Sequence, residues 1–219
     1  MLKGEITMFR DWNFWCTVMT SIAAVVALGL SVYQIQLSNK QQLFDRRLKA
    51  YNLVSSLISL CKENYTWLSE KRETKPQLTN DFDFIYLTNN TYMEGQAEAI
   101  KHPLEQPFHK EFLKKREELR SMAMEFELIF KGDVALLYSS FLKDYESALA
   151  VMYQYQIIIE KMKEENDKHP MPLEELSGIF SEEKYRNNLY SALDKLKESY
   201  DVVTQEKVVK QLRKQIALI

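Results

Sequence analysis

Residues 12–37 read WNFWCTVMTSIAAVVALGLSVYQIQL, 26 residues without one Asp, Glu, Lys or Arg. A hydrocarbon core of roughly 30 Å takes about 20 mostly apolar residues as a helix, so the stretch is long enough to span a bilayer. Trp12, Phe14 and Trp15 stand at one end and Tyr33 at the other, where aromatic rings favour the headgroup boundary. A cleaved signal peptide has a shorter apolar core, about 7–15 residues, closed by a small-residue cleavage site. No A-x-A site follows here, helical patterning continues past the run, and Cys16 lies at its N-terminal end. The expectation is an uncleaved transmembrane helix over 12–37, after a short N-terminal tail over 1–11 and before a helical body over 38–219.

Orientation follows from the flanking bases. Lys3 and Arg10, accompanied by Glu5 and Asp11, precede the run, whereas Lys40, Arg46, Arg47 and Lys49 follow it with Asp45 as the only nearby acid. Basic residues stay on the cytoplasmic side, which predicts a cell (inner) membrane protein with its N-terminus outside and its body cytoplasmic. Lys40, Arg46, Arg47 and Lys49 also form a juxtamembrane basic cluster within reach of anionic headgroups. Inside the run, Thr20, Ala23, Ala27 and Ser31 share one helix face. Small side chains at that spacing let two helices approach closely, so this face is the expected site of self-association.

Composition sets the class of the remainder. The chain has 219 residues, 29 Lys and Arg against 31 Asp and Glu, and a net charge of −2; hydrophobic residues make up 46%, and Gly and Pro number five each. That balance excludes a disordered tail, a collagen-like fibre and an all-β chain rich in turns. Cys16 and Cys61 are too few for a disulfide framework or a zinc cage. Near-neutral charge argues against nucleic acid as a partner.

The period of the body is helical throughout. Phe44, Leu48, Tyr51, Ser55, Ile58 and Tyr65 trace a stripe that carries the first helix to about Lys71. KRETKPQLTN (71–80) reads as a loop, and a helix weakened by Asn89, Asn90 and Gly95 follows from Asp81. Lys101 to Pro107, KHPLEQP, turns a corner. Phe112, Lys115, Leu119, Met122, Phe126 and Ile129 mark the next helix, with Lys115 laying its stem on apolar surface. Gly132 and Asp133 predict a stop and a restart, and Leu137, Phe141, Ala148, Met152 and Ile159 carry a long helix to about Lys168. After His169-Pro170-Met171-Pro172 comes a short turn of helix over 173–180. Ser181 is expected to cap a final helix with Tyr185, Leu189, Leu193, Leu196, Tyr200, Val203 and Leu212 inward. The fold class is therefore all-α, one transmembrane helix continuing into an antiparallel bundle of four or five helices. Tyr138, Tyr145, Tyr153, Tyr155, Tyr185 and Tyr190 are expected at the rim of its core. The greasy, basic C-terminal segment has three docking options, the bundle, a partner helix or the membrane surface, of which the bundle is favoured.

Catalytic patterns are missing: no G-x-x-x-x-G-K-[ST], H-E-x-x-H, G-x-S-x-G or C-x-x-C occurs. A di-metal bundle needs Glu three residues before His, and Ala99, Gln106 and Asn166 stand there instead. Glu98 with His102, and Glu105 with His109, read as surface neighbours rather than zinc ligands. Asp81-Phe82-Asp83 reads as carboxylates at a helix start, where the dipole favours them. KEFLKKREELR (110–120) reads as a solvated face of paired charges. No cofactor and no metal are expected. Asn64-Tyr65-Thr66 and Asn89-Asn90-Thr91 match the glycosylation pattern, which has no consequence for a cytoplasmic body.

Leu43-Phe44-Asp45-Arg46-Arg47-Leu48-Lys49-Ala50-Tyr51 resembles the start of the cytoplasmic helix in a widespread set of uncharacterised bacterial membrane proteins, F-[DE]-[KR]-R-x-x-x-Y. Phe126 to Val134, FELIFKGDV, is similar to a second feature of that set, with Lys131 standing between Phe130 and Gly132 as a departure. The resemblance covers roughly 20 residues. It implies a bacterial inner-membrane protein and carries over no catalytic residue.

Together these features lead to a membrane-anchored helical protein acting by protein–protein interaction or self-association, as a homo-oligomer or with another protein. A membrane-acting effector of phage-defence or toxin type, which perturbs the bilayer when triggered, is the alternative. An enzyme with an unrecognised site stands third.

Overall fold

The computed structural model describes residues 3–70, 74–79 and 85–216, with side chains from Trp12 onward within those ranges. The described residues are helical with no strand. Eight α-helices follow in order: α1 Lys3–Glu63, α2 Tyr65–Ser69, α3 Gln96–Lys101, α4 Phe108–Ile129, α5 Asp133–Lys168, α6 Leu173–Phe180, α7 Glu182–Val203 and α8 Glu206–Ile216, with a 3-10 turn at Thr91–Met93. Where described, the chain divides into two compact units, residues 3–45 and residues 46–216.

The first unit consists, where described, of α1 up to Asp45. The second is organised around α5, which packs most extensively on α7 and α4 and also touches α3, α6 and α8. Its 36 residues bury Val134, Tyr138, Phe141, Tyr145, Met152, Tyr155 and Ile159 among others, and leave one exposed stripe of Leu136, Ser140, Lys143, Ser147, Gln154 and Lys161. A buried face this wide takes neighbours on several sides, and α5 is the spine of this unit. Its neighbours each bury one stripe: Ala50, Val54, Leu57 and Cys61 from α1, Phe112, Leu119, Ala123 and Phe126 from α4, and Leu189, Leu193, Leu196 and Tyr200 from α7. A smaller cluster joins Ile158, Met162 and Leu176, with Met171, Leu173 and Phe180 against it.

Element boundaries depart from the periodicity at three places. The first helix ends at Glu63 rather than Lys71, because the Asn64 amide donates to the carbonyls of Leu60 and Tyr86, both at 2.9 Å. A side chain that takes backbone partners competes with the helix ladder. Ser181 starts α7, but in a left-handed conformation (φ 53°) and without a side-chain capping bond. The final helix is two helices, broken at Thr204, whose hydroxyl donates to the Tyr200 carbonyl at 2.8 Å. At about 100° per residue, Val203 and Leu212 would face opposite ways on one straight helix. The break turns Val208 and Leu212 back to the core, where both are buried. The C-terminal segment is thus docked on the helical unit up to Ile216.

One expected feature took firmer form and another was corrected. Gly132 has φ 72°, a conformation an L side chain rarely adopts, and it lets the chain reverse between α4 and α5 in three residues. Tyr138, Tyr145, Tyr153 and Tyr155 are inside the core rather than at its rim, and only Tyr185 and Tyr190 are partly buried. Each buried phenol finds a partner: Tyr138 donates to the Val203 carbonyl at 3.1 Å and Tyr145 to the Leu87 carbonyl at 2.6 Å. Tyr153 binds the Leu104 amide and His109 Nδ1, both at 2.7 Å.

Candidate functional site

In α1, every side chain from Met19 to Leu43 is exposed. The most apolar window of this helix has none of its residues buried, and the helix is long and apolar enough to cross a membrane. Trp12, Val25 and Leu28 are 70%, 70% and 67% exposed, although transfer of such side chains out of water is favourable by about 1.5–3 kcal/mol each. Four hydroxyls along the same stretch are satisfied internally. The hydroxyls of Thr17, Thr20, Ser21 and Ser31 donate to the carbonyls of Asn13, Cys16, Thr17 and Ala27 at 2.7–2.8 Å. That arrangement suits a medium with no water to offer. Thr20, Ala23, Ala27 and Ser31 all lie exposed along one face of α1.

The basic cluster divides. Arg46 and Lys49 are exposed, and Lys49 lines a cleft of about 470 Å³ with Leu53, Tyr92, Glu118 and Met122. Arg47 is instead built into the second unit. Its Nε donates to the Ile129 carbonyl at 2.7 Å and its Nη1 to the Gln215 carbonyl at 2.6 Å, while the guanidinium lies 5.6 Å from the Phe130 ring centre. Gln215 closes the arrangement by donating to the Lys131 carbonyl at 2.9 Å and accepting from the Lys131 amide at 2.7 Å. These carbonyls are left over at the ends of α4 and α8, where the dipole favours a cation. Nothing in the spacing of residues 47, 129 and 215 announced that clasp.

Buried charge is likewise structural in placement. Glu146 of α5 receives Arg116 at 2.5 Å and Arg120 at 3.1 Å, both from α4, so the 110–120 charges reach across helices as well as along one. Lys115 pairs with Glu118 at 2.8 Å and lies 4.1 Å from the centre of the Tyr92 ring. Glu182, wholly buried at the start of α7, accepts from Tyr155 at 2.6 Å and Ser177 at 3.0 Å, with Arg186 at 3.4 Å. Burial first, then the bond to Glu182, pushes the Tyr155 phenol up. Burial also raises Cys61 and Tyr145, and holds Tyr92 and Tyr138 at about 12.

A second cleft, of about 400 Å³, lies among Tyr51, Ser55, Lys62, Tyr138, Tyr200 and Arg213. Glu98 and Glu105 contact His102 at 3.7 and 3.5 Å, whereas His109 is taken up by Tyr153. Among the described residues no group of three or more His, Cys, Asp and Glu could hold a metal. Asp81 and Asp83 lie outside the described residues. Of the glycosylation-like asparagines, Asn64 is tied to two carbonyls and Asn89 is exposed. No family model, curated protein or solved structure matches the chain.

Proposed function

We propose that the protein is a single-pass cell-membrane protein, with residues 12–37 of α1 across the bilayer, the N-terminus outside and the helical body in the cytoplasm. The observation that carries this is the uncharged run of α1, whose most apolar window has no buried residue. Four bases after it against two before it support the orientation. The body is an antiparallel bundle in its main helices, since α4 and α5 pack together and are joined by only three residues. It acts by binding a protein partner or a second copy of itself, the latter through Thr20, Ala23, Ala27 and Ser31. Engagement of the buried carboxylates Glu146 and Glu182 in helix-to-helix contacts supports binding rather than chemistry.

Membranes from cells expressing the full chain test this. Retention after alkaline carbonate extraction, labelling of a cysteine in residues 1–11 from outside only, and an unchanged membrane potential on induction are expected. Release by carbonate sinks the anchor, and collapse of the potential would favour the bilayer-perturbing effector.

A further inference from the structure

The clasp gathers three distant pieces of chain at the end of the second unit where the polypeptide enters it. Arg47, one residue past that entry, holds the carbonyls of Ile129 and Gln215, and Gln215 holds Lys131. The turn between α4 and α5 and the last turn of α8 therefore sit at this entry end.

The surface of that end is unusual. Leu128 is 83% exposed, more than any other large apolar side chain among the described residues. Met124, one turn earlier on the same face, and Leu136, in the first turns of α5, are 57% and 58% exposed. Their neighbours Phe126, Ile129, Phe130, Val134 and Ala135 are buried, so the corner is anchored by other side chains and the core does not use these three. Charge is skewed as well. Residues 46–49, 124–136 and 210–216 hold seven Lys and Arg and three Asp and Glu, against 29 and 31 in the whole chain. Glu127 is already occupied by Ser139 at 2.5 Å and Lys143 at 2.8 Å, which leaves Glu125 and Asp133. Of the bases, Lys210 pairs with Glu206 and Arg213 reaches Tyr51, while Arg46, Lys131 and Lys214 form no ion pair among the described residues.

An end that carries exposed leucine and methionine together with bases in no described ion pair suits one surface in particular. The headgroup layer of a bilayer offers phosphate to the cations and the acyl boundary to the apolar tips. Chain length makes it reachable: from Leu37 to Arg47 is ten residues, about 15 Å of helix, and the headgroup layer occupies roughly 5–8 Å of that. We propose that the α4–α5 corner, with the last turns of α8, is a lipid-docking surface that rests on the anionic headgroups of the same membrane. This rests on residues 12–37 being the span. Docking ties the body to the bilayer at a second place, so its orientation responds to the content of anionic lipid.

The test uses the full chain, Cys16→Ser, in proteoliposomes of phosphatidylcholine with and without phosphatidylglycerol. An apolar fluorophore is placed singly at Leu28→Cys, Leu128→Cys or Lys161→Cys, and quenching by lipids spin-labelled at the headgroup or along the chain is read. The Leu28 label is expected to be quenched in both lipids and the Lys161 label in neither. The Leu128 label is expected to be quenched with phosphatidylglycerol. Each of Lys131→Ala and Lys214→Ala should lower the docked fraction ratio about fivefold. A Leu128 label as unquenched as that at Lys161, with Leu28 quenched, overturns the docking and leaves the anchor. An unquenched Leu28 label overturns the anchor itself. A Leu128 label shielded from water but not quenched by lipid, with crosslinks between copies, makes this face a self-association surface and also overturns the proposal.

Discussion

Tyr155, on the spine helix α5, donates its phenolic hydrogen to Glu182 Oε1 at 2.6 Å, and Glu182 is the first residue of α7 and wholly buried. With Ser177 and Arg186 on the same carboxylate, this contact locks α6 and α7 against α5. Arg186 is buried too, and its Nε and Nη1 have no hydrogen-bond partner. Glu182→Ala therefore leaves a buried cation without its counter-charge, and about 3–5 kcal/mol of stability should go. Replacing Arg186 by Met in the same chain should return more than half of it. Urea unfolding of the detergent-solubilised chain, followed by far-UV circular dichroism, measures the cycle. A double variant as unstable as Glu182→Ala alone would show that the pair is not coupled.

Arg47 is the residue whose removal should open the clasp. Arg47→Ala frees the Ile129 and Gln215 carbonyls, and hydrogen bonds from a charged donor contribute about 1.5–3 kcal/mol each, less where water can enter. The expected loss is about 2–3 kcal/mol. Arg47→Lys should recover at most one of the two bonds, because an ammonium lacks the planar fork that addresses two acceptors. Equal stability of the Lys variant and the parent, in the same unfolding assay, would contradict the clasp geometry.

High pH should unfold the body. Burial raises Cys61 above its ordinary 9.0, and Tyr145, Tyr155 and Tyr138 above 10.0. Their folded-state values exceed the unfolded ones, so the unfolded chain loses protons first as pH rises, and ∂ΔG/∂pH is negative there. The stabilisation is complete below about pH 9 and is lost as pH climbs towards the folded-state values. Melting temperatures taken between pH 7 and 12 should hold steady and then fall, with phenolate absorbance appearing together with loss of helix. Phenolate appearing before any loss of helix would mean the phenols are accessible in the folded state.

Self-association through α1 makes a face-specific prediction. Single cysteines at positions 20, 23, 27 and 31 should crosslink between copies better than those at 22, 25 and 28, because small side chains let the backbones approach on that face alone. Ala23→Leu with Ala27→Leu should abolish the preference. Crosslinking of equal efficiency around the helix would remove this face from the reading.

Legibility was uneven along the chain for a physical reason. α4 and α5 were readable because their buried residues repeat every three or four positions and Gly132 marks the reversal between them. The ends of α1 and α7 were not. Asn64 and Thr204 interrupt them through hydrogen bonds to backbone carbonyls, and nothing in the apolar period reports such a bond. Amphipathic character argues for tyrosines at the rim, whereas backbone carbonyls of remote segments, Leu87 and Val203, satisfy the Tyr145 and Tyr138 hydroxyls inside.

The sequence by itself determined that residues 12–37 are uncharged and long enough for a bilayer, and that the remainder is helical. Both are properties of local composition and period, which require no knowledge of what lies across the fold. Only the tertiary structure decided that Arg47 belongs to a clasp while its neighbour Arg46 stays exposed. It alone brought Glu182, Tyr155, Ser177 and Arg186 together, and turned Leu128 outward beside a cationic end. Those outcomes depend on which carbonyls and charges meet after helices far apart in sequence have packed, and a one-dimensional period holds no record of such meetings.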